Sequence, residues 1–109
     1  MITLDAIPEG DEYRLWAEKS HVTYNRRVML KECGARWDGK HWFVDKDALT
    51  KLRERCNILQ VLAWARLRCD CKAEDWYLVH EDKAHVGDYA SAFCGRCDSR
   101  GYYRVLEVR

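Results

Sequence analysis

The spacing of apolar side chains changes period several times along the chain, and each change marks an element. Leu49, Leu52, Cys56 and Leu59 fall at i, i+3, i+7 and i+10, one face of a helix. Asp45 or Asp47 stands where an N-cap oxygen is needed. An earlier helix is predicted from a cap at Ser20 or Thr23 through Cys33, with Gly34 taking the left-handed position after it. Tyr13 to Ala17 reads as a strand. Ala35 to Val44 reads as a hairpin turning on Asp38-Gly39, a dipeptide favoured in two-residue turns. In that register Trp37 opposes Lys40 and Ala35 opposes Trp42. Side-chain alternation then places Ala35, Trp37, Lys40, Trp42 and Val44 on one face, and Arg36, His41 and Phe43 on the other. Trp76 to His80 and Tyr102 to Val108 read as strands, while Val61 to Arg68 fits helix and strand equally.

Composition narrows the class. Hydrophobic residues at 48% with a single Pro and six Gly in 109 residues exclude a disordered chain. The formal net charge of +1 excludes a bulk polycation, so an acidic partner must be met by a local patch. Residues 1–20 carry two basic and five acidic groups, residues 21–60 nine and five, and residues 61–109 eight and eight. The middle segment, at +4, is therefore where an electropositive surface is expected. No basic leader with an apolar run follows Met1, and no stretch has membrane-spanning length. These features, with six Cys, lead to the expectation of a cytoplasmic protein with reduced thiols (the host cytosol if phage-encoded) and no membrane partner.

The sharpest chemical pattern is Cys69-Asp70-Cys71 followed by Cys94-Gly95-Arg96-Cys97. Two close pairs carried on separate turns present four soft ligands at little chain-entropy cost, the arrangement a structural Zn2+ takes. The first pair has one intervening residue where ribbons commonly have two, so Cys56, His80 and His85 stand as reserve ligands. Cys33 and Cys56 fall on helix faces and read as core residues. Four thiolates would close the coordination shell. With no nucleophile elbow, dinucleotide fingerprint, phosphate loop or His-Glu-x-x-His, the expectation is a protein that is not an enzyme.

A second pattern runs from Tyr24 through Lys31-Glu32-Cys33-Gly34-Ala35-Arg36-Trp37-Asp38-Gly39-Lys40-His41-Trp42 to Val44. A helix ending near Lys and Gly, then Ala-Arg-Trp-Asp, a turn and a Trp opening the next strand, resembles the HARP modules of DNA-annealing helicases. It also resembles a related small domain of unknown function in phage and plasmid proteins. The resemblance covers roughly residues 12–56 and implies binding of branched DNA or of single-to-double-strand junctions. The residues point the same way by themselves. Aromatic and basic groups mixed on one surface stack on bases while neutralising phosphates. Arg26, Arg27, Lys31, Arg36 and Lys40 are the expected phosphate-facing set, with Trp37 and Trp42 buried.

The expected architecture is α+β: a small helix–hairpin–helix module over residues 1–60, packed on a zinc-ribbon-like, β-rich module over 61–109. The expected function is non-catalytic binding of single-stranded or branched DNA in a chain stapled by Zn2+. The alternative is a zinc-stapled protein-interaction module, such as a phage-encoded inhibitor or adaptor of a host protein.

Overall fold

The computed structural model describes residues 2–109. They form strands β1 (Leu4–Glu9), β2 (Glu12–Trp16), β3 (Arg36–Trp37), β4 (Trp42–Val44), β5 (Leu59–Arg68), β6 (Glu74–His80), β7 (Tyr89–Cys94) and β8 (Ser99–Val108). Helices α1 (His21–Tyr24), α2 (Arg27–Cys33) and α3 (Lys46–Arg55) complete the set, with one 3-10 turn at Glu81–Lys83. The chain divides into two compact units, 1–61 and 62–109. In the first unit hydrogen bonds order the strands β3-β4-β2-β1-β5 (through the first residues of β5), and in the second β6-β5-β8-β7.

This corrects the expected α+β plan of a helix–hairpin–helix module joined to a ribbon. Strands take 45% of the chain and helices, the 3-10 turn included, 22%, and the three α-helices are short. The helix expected over Ser20 to Cys33 is two short pieces, broken at Asn25-Arg26, and Ser20 makes no side-chain cap. Arg26 takes φ −109° and turns its guanidinium back to the Val22 carbonyl at 3.0 Å, capping α1 where a continuing helix would have used that acceptor. The 61–68 segment is strand, with Val61, Ala65 and Leu67 buried at even spacing.

In the first unit, β1 and β2 form a hairpin whose two-residue turn starts at Gly10, φ +65°. β4 pairs with β2, β3 with β4, and the first residues of β5 lie parallel to β1. Asp45 caps α3 by accepting from the Ala48 N–H at 2.8 Å, and Gly34 ends α2 at φ +99°. Leu4, Leu15, Leu30, Trp42, Val44, Leu49 and Leu52 form the core. The α3 periodicity ends at Cys56, which is buried just past the helix, and Leu59 already lies in β5.

The β3–β4 register differs from the expected one. Trp37 pairs with Trp42 and Arg36 with Phe43, so the turn centres on Gly39-Lys40. Asp38 is displaced from the turn centre because its carboxylate accepts from the Lys40 and His41 N–H groups, at 2.8 and 2.7 Å. Those two bonds hold its carboxyl below the usual range. The slip is even-numbered, so the paired residues Arg36, Trp37, Trp42 and Phe43 keep their expected faces, while His41, in the turn region, joins Lys40 at the cleft.

The second unit is a sheet in the order β6-β5-β8-β7. Its buried face is built from Ala65, Ala84, Ala90, Ala92, Leu67, Val79, Val105 and Tyr103, with Cys69 and Cys94. Four of these eight non-cysteine side chains are single methyl groups, so little apolar area leaves water.

Candidate functional site

Strand direction brings the two cysteine pairs to one end of the sheet. β5 and β7 both run antiparallel to β8, which lies between them, so both point toward the end where β8 begins. Cys69 follows the last residue of β5 and Cys94 closes β7, each on the buried face of its strand. The Sγ atoms of Cys69, Cys71, Cys94 and Cys97 all lie within 4.8 Å of one another. Cys69 and Cys97 are 3.4 Å apart and Cys71 and Cys94 3.8 Å, and all six cysteines are free thiols. This is a four-thiol group at metal-binding separation. Cys56 is buried in the first unit's core, and His80 and His85 lie outside the group.

Local turn chemistry explains how a pair with a single spacer reaches the same geometry as a pair with two. The Lys72 N–H donates to the Cys69 carbonyl at 2.8 Å, and the Cys69 N–H to the Ala73 carbonyl at 2.9 Å. That is a three-residue hairpin loop whose last position is left-handed, and Lys72 holds it at φ +69°. The β7–β8 turn likewise closes on a left-handed residue, Asp98 at φ +56°, following Cys97. In both turns the second cysteine directly precedes a residue in the region that favours glycine. Lys72→Gly is therefore expected to raise stability, by about 0.5–1 kcal/mol. Chemical denaturation of the metal-loaded protein checks this, and a lowered midpoint would show that the lysine is not strained.

The Cys71 backbone N–H, with smaller help from Tyr103 and Cys97, draws the Cys69 thiol down to about 6. For Cys71 the Ala73 N–H pulls down, but the neighbouring thiols outweigh it and push the group up to about 11. Four thiols this close do not all ionise unless a cation lies among them. Ser99 Oγ is 2.9 Å from Cys97 Sγ, placed to donate to a thiolate, and the Tyr103 hydroxyl donates to the Ser99 carbonyl at 3.0 Å. Sequence reading missed both groups. Their signal was position only, immediately downstream of the second pair.

The first unit holds a different feature, an open cleft of about 870 Å3. Leu15 and buried Trp42 contribute to its wall, with Trp16, Tyr24 and Trp37 exposed around it. Trp37 is 51% exposed and Trp42 only 7%, their rings tilted with centroids 5.4 Å apart. Of the expected phosphate-facing residues, Arg27, Lys31 and Lys40 line the cleft, with His21, His41 and one carboxylate, Glu18. Arg27 and Lys31 share a face of α2 at i, i+4. The Arg27 guanidinium is 4.1 Å from the Tyr24 ring centre and donates to the Tyr24 carbonyl at 2.8 Å. Arg26 is engaged with Val22. Arg36 lies on the opposite face of the hairpin, paired with Glu12 at 2.9 Å and set over Phe43. The cleft thus unites three of the five residues and leaves two outside. Trp16 and Tyr24 were not singled out in the sequence. The outward side of a strand whose neighbour Leu15 is buried would have found Trp16.

Among the described residues no helix is long and apolar enough to cross a membrane. Comparison with known protein families, with curated proteins and with solved structures finds no match to this chain.

Proposed function

We propose that the chain binds single-stranded or branched DNA without catalysing a reaction on it, and that Zn2+ held by Cys69, Cys71, Cys94 and Cys97 staples its second unit. The observation that carries the DNA reading is the cleft. Arg27, Lys31 and Lys40 surround three exposed aromatic rings, Trp16, Tyr24 and Trp37, against a single carboxylate. Stacking on rings is open to any unpaired base, and cations beside the rings meet the phosphates that follow the base. Duplex DNA hides its base faces, so the rings favour unpaired strands.

Zinc suits the thiols on distance and chemistry. At a Zn–S bond of about 2.3 Å, tetrahedral sulfurs stand about 3.8 Å apart. The separations of 3.4 and 3.8 Å, with none beyond 4.8 Å, bracket that value. When bound, the metal supplies a closed four-sulfur crosslink with no open position for water. Ser99 and Tyr103 orient the sulfur side of that crosslink.

Salt dependence tests the DNA reading. Alanine at Arg27, Lys31 or Lys40 is expected to reduce the slope of log affinity against log salt by about 0.7 each on single strands. Arg36→Ala should leave it unchanged, because that guanidinium faces Glu12. A folded wild-type chain that binds neither single-stranded, forked nor duplex DNA at low salt would exclude this function. The near-neutral charge would then favour a protein-interaction module.

A further inference from the structure

The exposed face of the second unit carries an arrangement that neither the metal group nor the cleft uses. β7 alternates with small side chains inward and large ones outward: Ala90, Ala92 and Cys94 are buried, while Tyr89, Ser91 and Phe93 face solvent. In β8, Arg100, Tyr102 and Arg104 are exposed. The ladder sets Tyr89 opposite Arg104, Ser91 opposite Tyr102 and Phe93 opposite Arg100. Each row of two therefore holds one aromatic ring, and the two outer rows pair it with an arginine. The rings alternate between strands, so Tyr102 is the diagonal neighbour of both Tyr89 and Phe93, about 7–8 Å away by backbone spacing.

These rings are not marginally exposed. Tyr102 is 75% accessible, Tyr89 59% and Phe93 45%. Tyr103 is buried on the other face, but three aromatic rings left in water on one face are the kind of exposure that marks an interaction surface. Charge states what the surface meets. The strands of this face carry Arg66, Arg68, Arg100 and Arg104 against Glu74 and Glu107. Both glutamates are taken up by Arg66 and Arg68 at the β5–β6 side. Arg100 and Arg104 have no ion-pair partner among the described residues. Beside them a shallow depression of about 280 Å3 runs among Tyr89, Tyr102, Arg68 and Arg104 to Lys72, in the turn that carries Cys69 and Cys71, with one carboxylate, Asp70, in its lining.

We propose that the β7–β8 face is a binding site for single-stranded nucleic acid, with Tyr89, Tyr102 and Phe93 stacking successive bases while Arg100 and Arg104 neutralise the backbone. An apolar protein partner would be served by the rings and not by two unpaired guanidiniums set between them. A duplex would be served by the guanidiniums and not by the rings. Only an unpaired strand offers π-faces and phosphates together. The site belongs to the second unit by itself and does not depend on the first unit's cleft being a DNA site.

The test uses the full, zinc-loaded chain and an oligothymidylate about 16 nucleotides long, carrying iodouracil for photocrosslinking. Three proteins are compared: wild type, the Tyr102→Ala/Phe93→Ala variant of this face, and the Arg27→Ala/Lys31→Ala/Lys40→Ala variant of the cleft. Retained metal and an unchanged circular dichroism spectrum establish that each is folded. Crosslinks are expected in the peptide spanning residues 89–104 in wild type and in the cleft variant. The face variant should bind about tenfold or more weakly. Tyr102→Phe, which keeps the ring, should bind like wild type, and Arg104→Ala should lower the salt slope by about 0.7. Crosslinks confined to the first unit, with unchanged affinity in the face variant, would overturn the site and leave the cleft reading standing. Loss of binding in the face variant alone would support this site and remove the cleft. A face variant that changed the oligomeric state of the chain while binding the oligonucleotide normally would overturn the proposal in favour of self-association.

Discussion

Replacing Cys94 with serine is expected to release the metal and unfold residues 62–109 while residues 1–61 keep their structure. The effect should be large because of what the second unit lacks. Besides the two cysteines its buried face consists of four alanines, two valines, one leucine and one tyrosine, and a unit of this size is marginal even with a full core. Structural Zn2+ contributes on the order of 10 kcal/mol in small fingers. Cys33→Ser is the control: that thiol is buried in the first unit's core, and its loss should cost about 1–3 kcal/mol with the metal retained. Elemental analysis together with backbone hydrogen exchange distinguishes the two. One metal per wild-type chain and none in Cys94→Ser, with protection lost only beyond residue 61, is the expected pattern. A metal-free wild type with full protection in both units would sink the staple. The pH dependence follows in sign. Ligation holds the thiols ionised far below their free range, so the metal's contribution is lost as pH falls.

Trp42→Ala is expected to cost about 3–5 kcal/mol, since the ring is buried among the leucines of the first unit's core. Trp37→Ala should cost much less, because half of that ring is in water. Its loss should appear instead as weaker binding to single strands, by about 1–3 kcal/mol if a base stacks there. Urea denaturation and an oligonucleotide titration on both variants give four values. The reading requires Trp42→Ala to dominate in stability and Trp37→Ala to weaken binding without unfolding. Equal stability losses would mean that Trp37 is a core residue, as the sequence pattern alone had placed it. The two tryptophans occupy opposed positions on the same face of one short hairpin. Trp42, on β4, is held against β2, whereas Trp37, on β3, stands on the outermost strand of the order.

The elements most legible in the sequence were those with a local cause. Asp45 capping α3 and Gly34 ending α2 follow from groups within one turn of the residue concerned. The strand β6 and much of β8 were read from short alternating runs. β1 and β7 were not read at all. Leu4 and Ala6 are buried with β5 beside them, and that pairing joins Leu4 to Leu59, far away in sequence. β7 alternates clearly, but its large residues face outward, so a rule that buries aromatics gives it the wrong interior side.

What the sequence determined by itself was ligand chemistry and, at the ends of α2 and α3, capping chemistry. The soft donors in two close pairs, the absence of enzymatic motifs and the faces of the β3–β4 hairpin depend only on residue type and a period of two. Tertiary structure decided which of these groups meet. Cys69 and Cys94 stand 25 positions apart and come together because β5 and β7 flank the same strand in the same direction. Arg36 and Lys40, on opposite faces by alternation alone, acquire their surroundings from the fold: Glu12 for Arg36 and the cleft for Lys40. Periodicity fixes the side on which a residue lies along its own strand. Only pairing across strands, whose free energy comes from contacts distant in sequence, decides what lies on that side with it.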